Sequence, residues 1–224
     1  MTTTISFSSQ KGGVGKSTLT MCLATYIQHS GLKVCVIDSD YPQFSLEKKR
    51  ASELLEIDGD ETIRKQYQQL DLHDFKLISS KLNELLQVVR FLKQENIYDF
   101  IFIDLPGTLN LDEIENLAPL LDVIIVPVEP EMTVFISASE SFRFYRNAAP
   151  SAKICALWNR IRKSEKDDLR LALGETIKGR GYIHMLETIV YDSVGFKREA
   201  STLYPSDNPA IAALMKELIK LELV

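Results

Sequence analysis

The feature that most constrains the fold is a repeating alternation. Short apolar, β-branched runs recur, and segments with helical patterning separate them. The runs are "TTISFSS" (3–9), "KVCVID" (33–38), "FKLIS" (75–79), "YDFIFIDLPG" (98–107), "DVIIVPVEP" (122–130), "AKICALWNR" (152–160) and "ETIVYD" (187–192). Between or after them lie helix-patterned stretches at 19–31, 80–95, 111–120, 132–148, 165–179 and 208–222. Strands that are apolar throughout, rather than alternating, are buried on both faces. Strands alternating with helices call for parallel pairing with right-handed crossovers. The pattern predicts an α/β fold: a mostly parallel, twisted sheet of about seven strands with helices on both faces. The chain has 224 residues, 45% of them hydrophobic, which suits one domain spanning 1–224 with a full core. Residues 44–72 are polar and weakly patterned, and a helical excursion is expected there.

Between the first strand and the first helix stands "SSQKGGVGKST" (8–18). Glycines let main-chain N–H groups turn inward around an anion, and the helix that follows points its positive end at the same place. Gly15-Lys16-Ser17 supply the second half of the phosphate-loop pattern, and Gln10 occupies its first glycine slot. Gly12 and Gly13 provide the flexible backbone instead. In this setting Lys16 reaches the β- and γ-phosphates, and the Ser17 hydroxyl ligates Mg²⁺. The expected fold is thus that of a P-loop NTPase, with residues 12–18, Val14 and Thr18 included, around the nucleotide. Two further strands end in acids. Asp38 and Asp40 follow the second, and ligands bind at that edge of open α/β sheets. Asp104 ends "FIFIDLPG", where an aspartate can hold Mg²⁺ through water, and Gly107 lets the backbone approach the γ-phosphate.

Lys11, at the start of the loop, is a second cation that one site does not obviously need. The segment resembles the deviant Walker A motif, K-G-G-x-G-K-[ST], of the ParA/MinD family of ATPases. That resemblance implies ATP and Mg²⁺ as ligands and a nucleotide-sandwich homodimer in which Lys11 touches the partner's phosphates while Lys16 serves its own. It also implies that Asp40 orients the attacking water, that Asp38 assists near Mg²⁺, that "DLPG" (104–107) is switch II, and that Asn159 reads the adenine edge with Arg160 beside it. The catalytic set it implies is Lys11, Lys16 and Asp40. This chain departs from the family pattern in Tyr41, inserted before Pro42-Gln43, and in 44–72, which match no motif.

The partner is less determined. The net charge of −5 gives no general attraction to nucleic acid or anionic lipid. Residues 151–200, however, carry ten Lys/Arg against seven Asp/Glu. Arg162, Lys163, Arg180, Lys197 and Arg198 are candidate contacts to a DNA backbone. ParA-like relatives bind DNA nonspecifically as ATP dimers and are stimulated by a ParB-like protein, so the resemblance implies partitioning or transfer of a plasmid, chromosome or mobile element. A MinD-like positioning ATPase acting at a membrane is the alternative, as is a low-turnover, nucleotide-switched scaffold. The last helix carries one apolar stripe, Ile211, Leu214, Met215, Leu218 and Leu221, under a polar face of cancelling charges. That pattern favours packing on the sheet over a membrane surface. Cys22, Cys35 and Cys155 have no metal-ligand spacing and are expected in the core. The N-terminus lacks a leader pattern, and a cytoplasmic protein, nucleoid-associated when ATP-bound, is expected.

Overall fold

In a computed structural model the described residues are 2–70, 74–108, 111–162, 167–192 and 200–224. Seven strands form one sheet in the order β3-β2-β4-β1-β5-β6-β7, all neighbours parallel. They are β1 (Thr3–Phe7), β2 (Val34–Asp38), β3 (Lys76–Ser79), β4 (Phe100–Asp104), β5 (Val123–Val128), β6 (Lys153–Ile161) and β7 (Ile183–Tyr191). The described helices are α1 (Lys16–His29), α2 (Ser45–Gly59), α3 (Glu61–Gln69), α4 (Leu82–Glu95), α5 (Asp112–Leu117), α6 (Met132–Ala148), α7 (Asp168–Lys178) and α8 (Pro209–Lys220).

Alternate residues of the strands feed two separate cores, except in β1, where Ile5 and Phe7 enter one core and Thr4 and Ser6 are polar. Ile101 and Ile103 of β4, with Ile124, Val126 and Val128 of β5, pack under α4, α5, α6 and α7. Phe100 and Phe102, with Val123 and Ile125, face the other way onto α1 and α8. This is why these runs are apolar at every position. The three cysteines are buried, and Trp158 is a core residue whose ring lies 3.7 Å from where a Cβ on Gly174 would stand.

The weakly patterned 44–72 stretch forms α2 and α3. Few of its residues are buried, chiefly Leu46 and Ile57, so little apolar periodicity was there to read. Arg50 ties α2 to the rest, donating to the Phe75 carbonyl and to both the hydroxyl and the carbonyl oxygen of Thr202. The last strand starts at Ile183, four residues earlier than the sequence pattern suggested. A bulge opposite Ala156–Trp158 breaks its two-residue period. The exposed backbone of that bulge is covered by Glu217 of α8, whose carboxylate accepts from the N–H groups of Glu187 and Thr188. Four members of the predicted stripe on α8 are buried against β7 and α1, whereas Leu221 lies past the last turn and is exposed. Among the described residues no helix is long and apolar enough to cross a membrane.

A candidate nucleotide site around the phosphate loop

The strand order reverses around β1. The chain runs outward from β1 to β2 and β3, returns to β4, and then crosses to β5 on the other side. The loop after β1 therefore opens at a topological switch point, with the C-terminal end of β4 on one flank and that of β5 on the other.

The loop is built to leave donors unused. Helix α1 starts at Lys16 after Gly15, with no side-chain cap and no acid in its first turn. Its first N–H groups and its positive end are thus available to an anion. Gly15 has φ +90°, and a Cβ there would fall 2.9 Å from the Asn159 amide nitrogen. Both the conformation and the space demand glycine. Asn159, 2% exposed at the end of β6, donates that amide to the Val14 carbonyl at 2.7 Å. That amide nitrogen braces the loop. Arg160 follows with φ +57°, its guanidinium over Gly15 and 3.7 Å from Glu129. The start of the loop is pinned to α6: Ser8 shares a buried 2.6 Å hydrogen bond with Tyr145, and the Gln10 N–H reaches Ser141.

The two lysines go to opposite flanks. Lys16 is 8% exposed. Burial lowers its pKa, and nearby Asp104 and Asp40 oppose that shift. Gly107 lies against it: a Cβ there would stand 3.7 Å from the Lys16 ammonium and 3.3 Å from the Gly12 Cα. The phosphate loop and the 104–107 segment therefore touch backbone to backbone. Lys11 instead crosses to the β5 side. Its amine lies 3.6 Å from Glu131 and 3.4 Å from the Thr133 hydroxyl, in a half-exposed position. The acids Glu129 and Glu131 were not singled out from the sequence. Their signal was their place at the C-terminal end of an apolar strand, the same signal that marked Asp104.

Asp38 and Asp104 end adjacent strands and pair directly in register. Their environments differ. The Asp38 carboxylate accepts from the N–H groups of Leu46 and Glu47 at 2.9 and 3.1 Å, capping α2, and from the Asp40 N–H at 3.4 Å. These bonds tie Asp38 to the start of α2 and to the backbone at Asp40. Asp104 is fully buried, and neither of its carboxylate oxygens has a hydrogen-bond partner. Burial pushes its pKa up to about 7. The Ser17 hydroxyl and Lys16 nearby favour the charged form, and Asp38 and Asp40 disfavour it. Among the described residues no three His, Cys, Asp or Glu side chains could hold a metal by themselves. An orphaned carboxylate beside a hydroxyl suits a hard, oxygen-seeking cation that takes its remaining ligands from phosphate and water. The residues present therefore fit Mg²⁺. Asp40 is half-buried, with the side chains of Lys16 and Asp104 near enough to interact. Tyr41, the inserted residue, sits edge-on to Phe44 and beneath the Lys81 ammonium.

Of the five candidate DNA contacts, Lys163, Lys197 and Arg198 lie outside the described residues. Arg162 is exposed just beyond β6. Arg180 sits apart from it, against α6, donating to Ser139.

A parallel sheet with an uncapped glycine loop at its switch point, a buried lysine and an unpartnered acid defines a phosphate-loop nucleotide-binding protein. More particularly, the chain matches the CobQ/CobB/MinD/ParA nucleotide-binding domain over residues 5–194, and it belongs to that family. It is 28% identical over 229 residues to an uncharacterized ATP-binding protein of Methanocaldococcus jannaschii, covering 95% of this chain and 85% of that one. The fold is similar to that of a plasmid partition protein from Borrelia burgdorferi bound to AMPPNP, with TM-score 0.70, 20% identity and all of both chains covered. It is also similar to MinD of Aquifex aeolicus, with TM-score 0.69, 20% identity and 98% and 97% of the two chains covered. A third similar structure is cobyrinic acid a,c-diamide synthase of Mycobacterium smegmatis with ADP and magnesium, with TM-score 0.64, 19% identity and coverage of 98% and 96%.

Proposed function

We propose that this chain is a ParA-like ATPase. Two copies close face to face on MgATP, the dimer binds DNA without sequence preference, and hydrolysis to ADP releases it. The cycle serves the partitioning or transfer of a plasmid, chromosome or mobile element. The observation that carries this reading is the divergence of the two lysines. Lys16 lies inside its own cradle, whereas Lys11 is held on the outer flank by Glu131 and Thr133. An amine placed there is positioned to serve a ligand other than its own loop's.

Each residue then has a role. The α1 N-terminus and the backbone of 12–16 hold the phosphates, and Lys16 neutralises the β/γ oxygens. Ser17 and Asp104 would hold Mg²⁺, which supplies charge neutralisation on those oxygens when bound. Asp40 orients the attacking water and accepts its proton. Asp38 acts by positioning: it fixes the start of α2 and the backbone at Asp40. Gly107, packed on Gly12, brings the 104–107 segment within reach of the γ-phosphate. Lys11 from the second copy meets charge that develops on the transferred group. A ParB-like protein as stimulator and association with the nucleoid follow from the same reading. The membrane alternative draws no support from α8, whose apolar stripe is occupied by α1 and β7.

The test is size by light scattering. Wild type should dimerise with MgATP and remain monomeric with ADP. Asp40→Ala should accumulate as a long-lived ATP dimer. A wild type that stays monomeric at saturating MgATP overturns the sandwich.

A further inference from the structure

Most of the ion pairs on this surface neutralise a cation within its own neighbourhood: Lys11 with Glu131, Lys93 with Asp122, Arg160 with Glu129, Arg170 with Asp167, Lys178 with Glu175. The second half of α6 is built differently. Ser139, Arg143 and Arg146 follow at i, i+4 and i+7, so they share one face of the helix. The turn after α7 lays Arg180 and Tyr182 against that face. Arg180 donates to the Ser139 hydroxyl at 2.9 Å and sits 6.0 Å from the Phe142 ring centroid. The Arg146 guanidinium lies 5.2 Å over the ring of Tyr182. Aromatic faces and a neutral hydroxyl thus hold the Arg146 and Arg180 guanidinium groups in place and leave their charge uncancelled, while Arg143 stands exposed beside them. Among the described residues none of the three arginines has a carboxylate within ion-pair distance. Glu140, one turn from Arg143, is the acid on the same stretch of helix, and among the described residues it forms no ion pair. The chain as a whole carries −5, so three arginines against the single acid Glu140 are a departure from its own surface.

We infer that this α6 face, with Arg143, Arg146 and Arg180, is the surface that takes the phosphate backbone of DNA. The inference rests on the DNA-binding part of the reading above and says where on the fold that contact is made. Planar, pre-positioned guanidinium groups match phosphate oxygens, and contacts of this kind position a protein on a duplex without reading sequence. The exposed large apolar side chains of α6, Met132 and Ile136, stand at the opposite end of the helix. The arginine face therefore lacks the apolar anchors by which a surface helix enters a bilayer. The same helix begins beside Lys11, through Thr133 and Glu131, and at 1.5 Å per residue the arginines lie about 15–20 Å from that end. DNA on this face would leave the nucleotide edge clear for a second copy.

The test is fluorescence anisotropy of a labelled mixed-sequence duplex with the full chain in MgATP, over a salt series. Arg143→Ala/Arg146→Ala should bind at least about 10-fold more weakly, and its plot of log affinity against log salt should be shallower by about two. Arg143→Lys/Arg146→Lys should retain most of the binding. Light scattering should find both variants dimeric with MgATP, as for wild type. A double-alanine variant with the affinity and salt slope of wild type overturns this surface and leaves DNA binding standing. A wild type that dimerises yet binds no duplex overturns the DNA reading and this surface together. If instead wild type binds phosphatidylglycerol vesicles and the alanine variant does not, the face belongs to a membrane and the inference fails.

Discussion

Two acids at opposite edges of the same sheet have opposite surroundings. At the edge away from the phosphate loop, Asp122 accepts from the Thr4 N–H at 2.8 Å, the Thr4 hydroxyl at 2.6 Å and the Lys93 ammonium at 2.8 Å. Lys93 in turn reaches the Leu120 carbonyl. One oxygen of Asp122 thus gathers the Thr4 N–H, the Thr4 hydroxyl and the Lys93 ammonium. At the loop edge, Asp104 is buried with no hydrogen-bond partner, faces Asp38 across the strand pair, and has its pKa pushed up to about 7. A buried polar group without partners costs stability, and such groups persist where a ligand completes them. One edge holds the fold together, and the other is left incomplete for a nucleotide.

The largest effect expected from breaking this contrast is at the loop. Lys16→Ala should weaken ATP binding at least about 100-fold, on the scale of a lost charge-assisted phosphate contact, measured by titration calorimetry. Next, Asp104→Asn should stabilise the nucleotide-free protein at pH 8 by about 2 kcal/mol, while abolishing the Mg²⁺ dependence of ATP binding. The pH dependence follows from the raised pKa. Between about 4 and 7 the folded state holds a proton that the unfolded state has released, so this carboxyl's unfavourable contribution develops as pH rises through that window. The advantage of Asn should therefore be full above pH 7 and fade toward pH 4, as read by denaturant unfolding across pH. An advantage independent of pH would mean that Asp104 titrates in the folded chain as it does in the unfolded one, so that burial does not raise its pKa. At the satisfied edge the sign reverses: Asp122→Ala should destabilise by about 1–2 kcal/mol, because it strands the Thr4 N–H and the Lys93 ammonium, with urea unfolding as the measurement. The smallest effect on stability is expected at Lys11. Its contact with the exposed Glu131 is screened by solvent, so Lys11→Ala should leave the unfolding midpoint unchanged. The same variant should lose its MgATP dimer in light scattering, and a normal dimer would refute the role given to this lysine.

The chain's periodicity and punctuation determined much of this protein in advance. Runs such as "FIFI" and "VIIVPV" are apolar at every position because both faces of the sheet are covered, so a parallel α/β fold could be read from the residues alone. The loop "KGGVGKS" was legible for the same kind of reason, since glycines and a lysine between strand and helix have a local physical meaning. What escaped sequence reading depends on side chains brought together from distant segments. That Asp38 also caps α2 became visible only once the N-terminus of that helix was placed on it. The bulge in β7 hid the start of that strand, because an extra pair of residues breaks the two-residue alternation. Arg143 and Arg146 were inconspicuous on an ordinary amphipathic helix until the turn after α7 laid Arg180 and Tyr182 beside them. Period and turn chemistry are properties of neighbours along the chain. Whether a charge is neutralised, stacked or left without a partner depends on neighbours in space, and only the folded arrangement decides that.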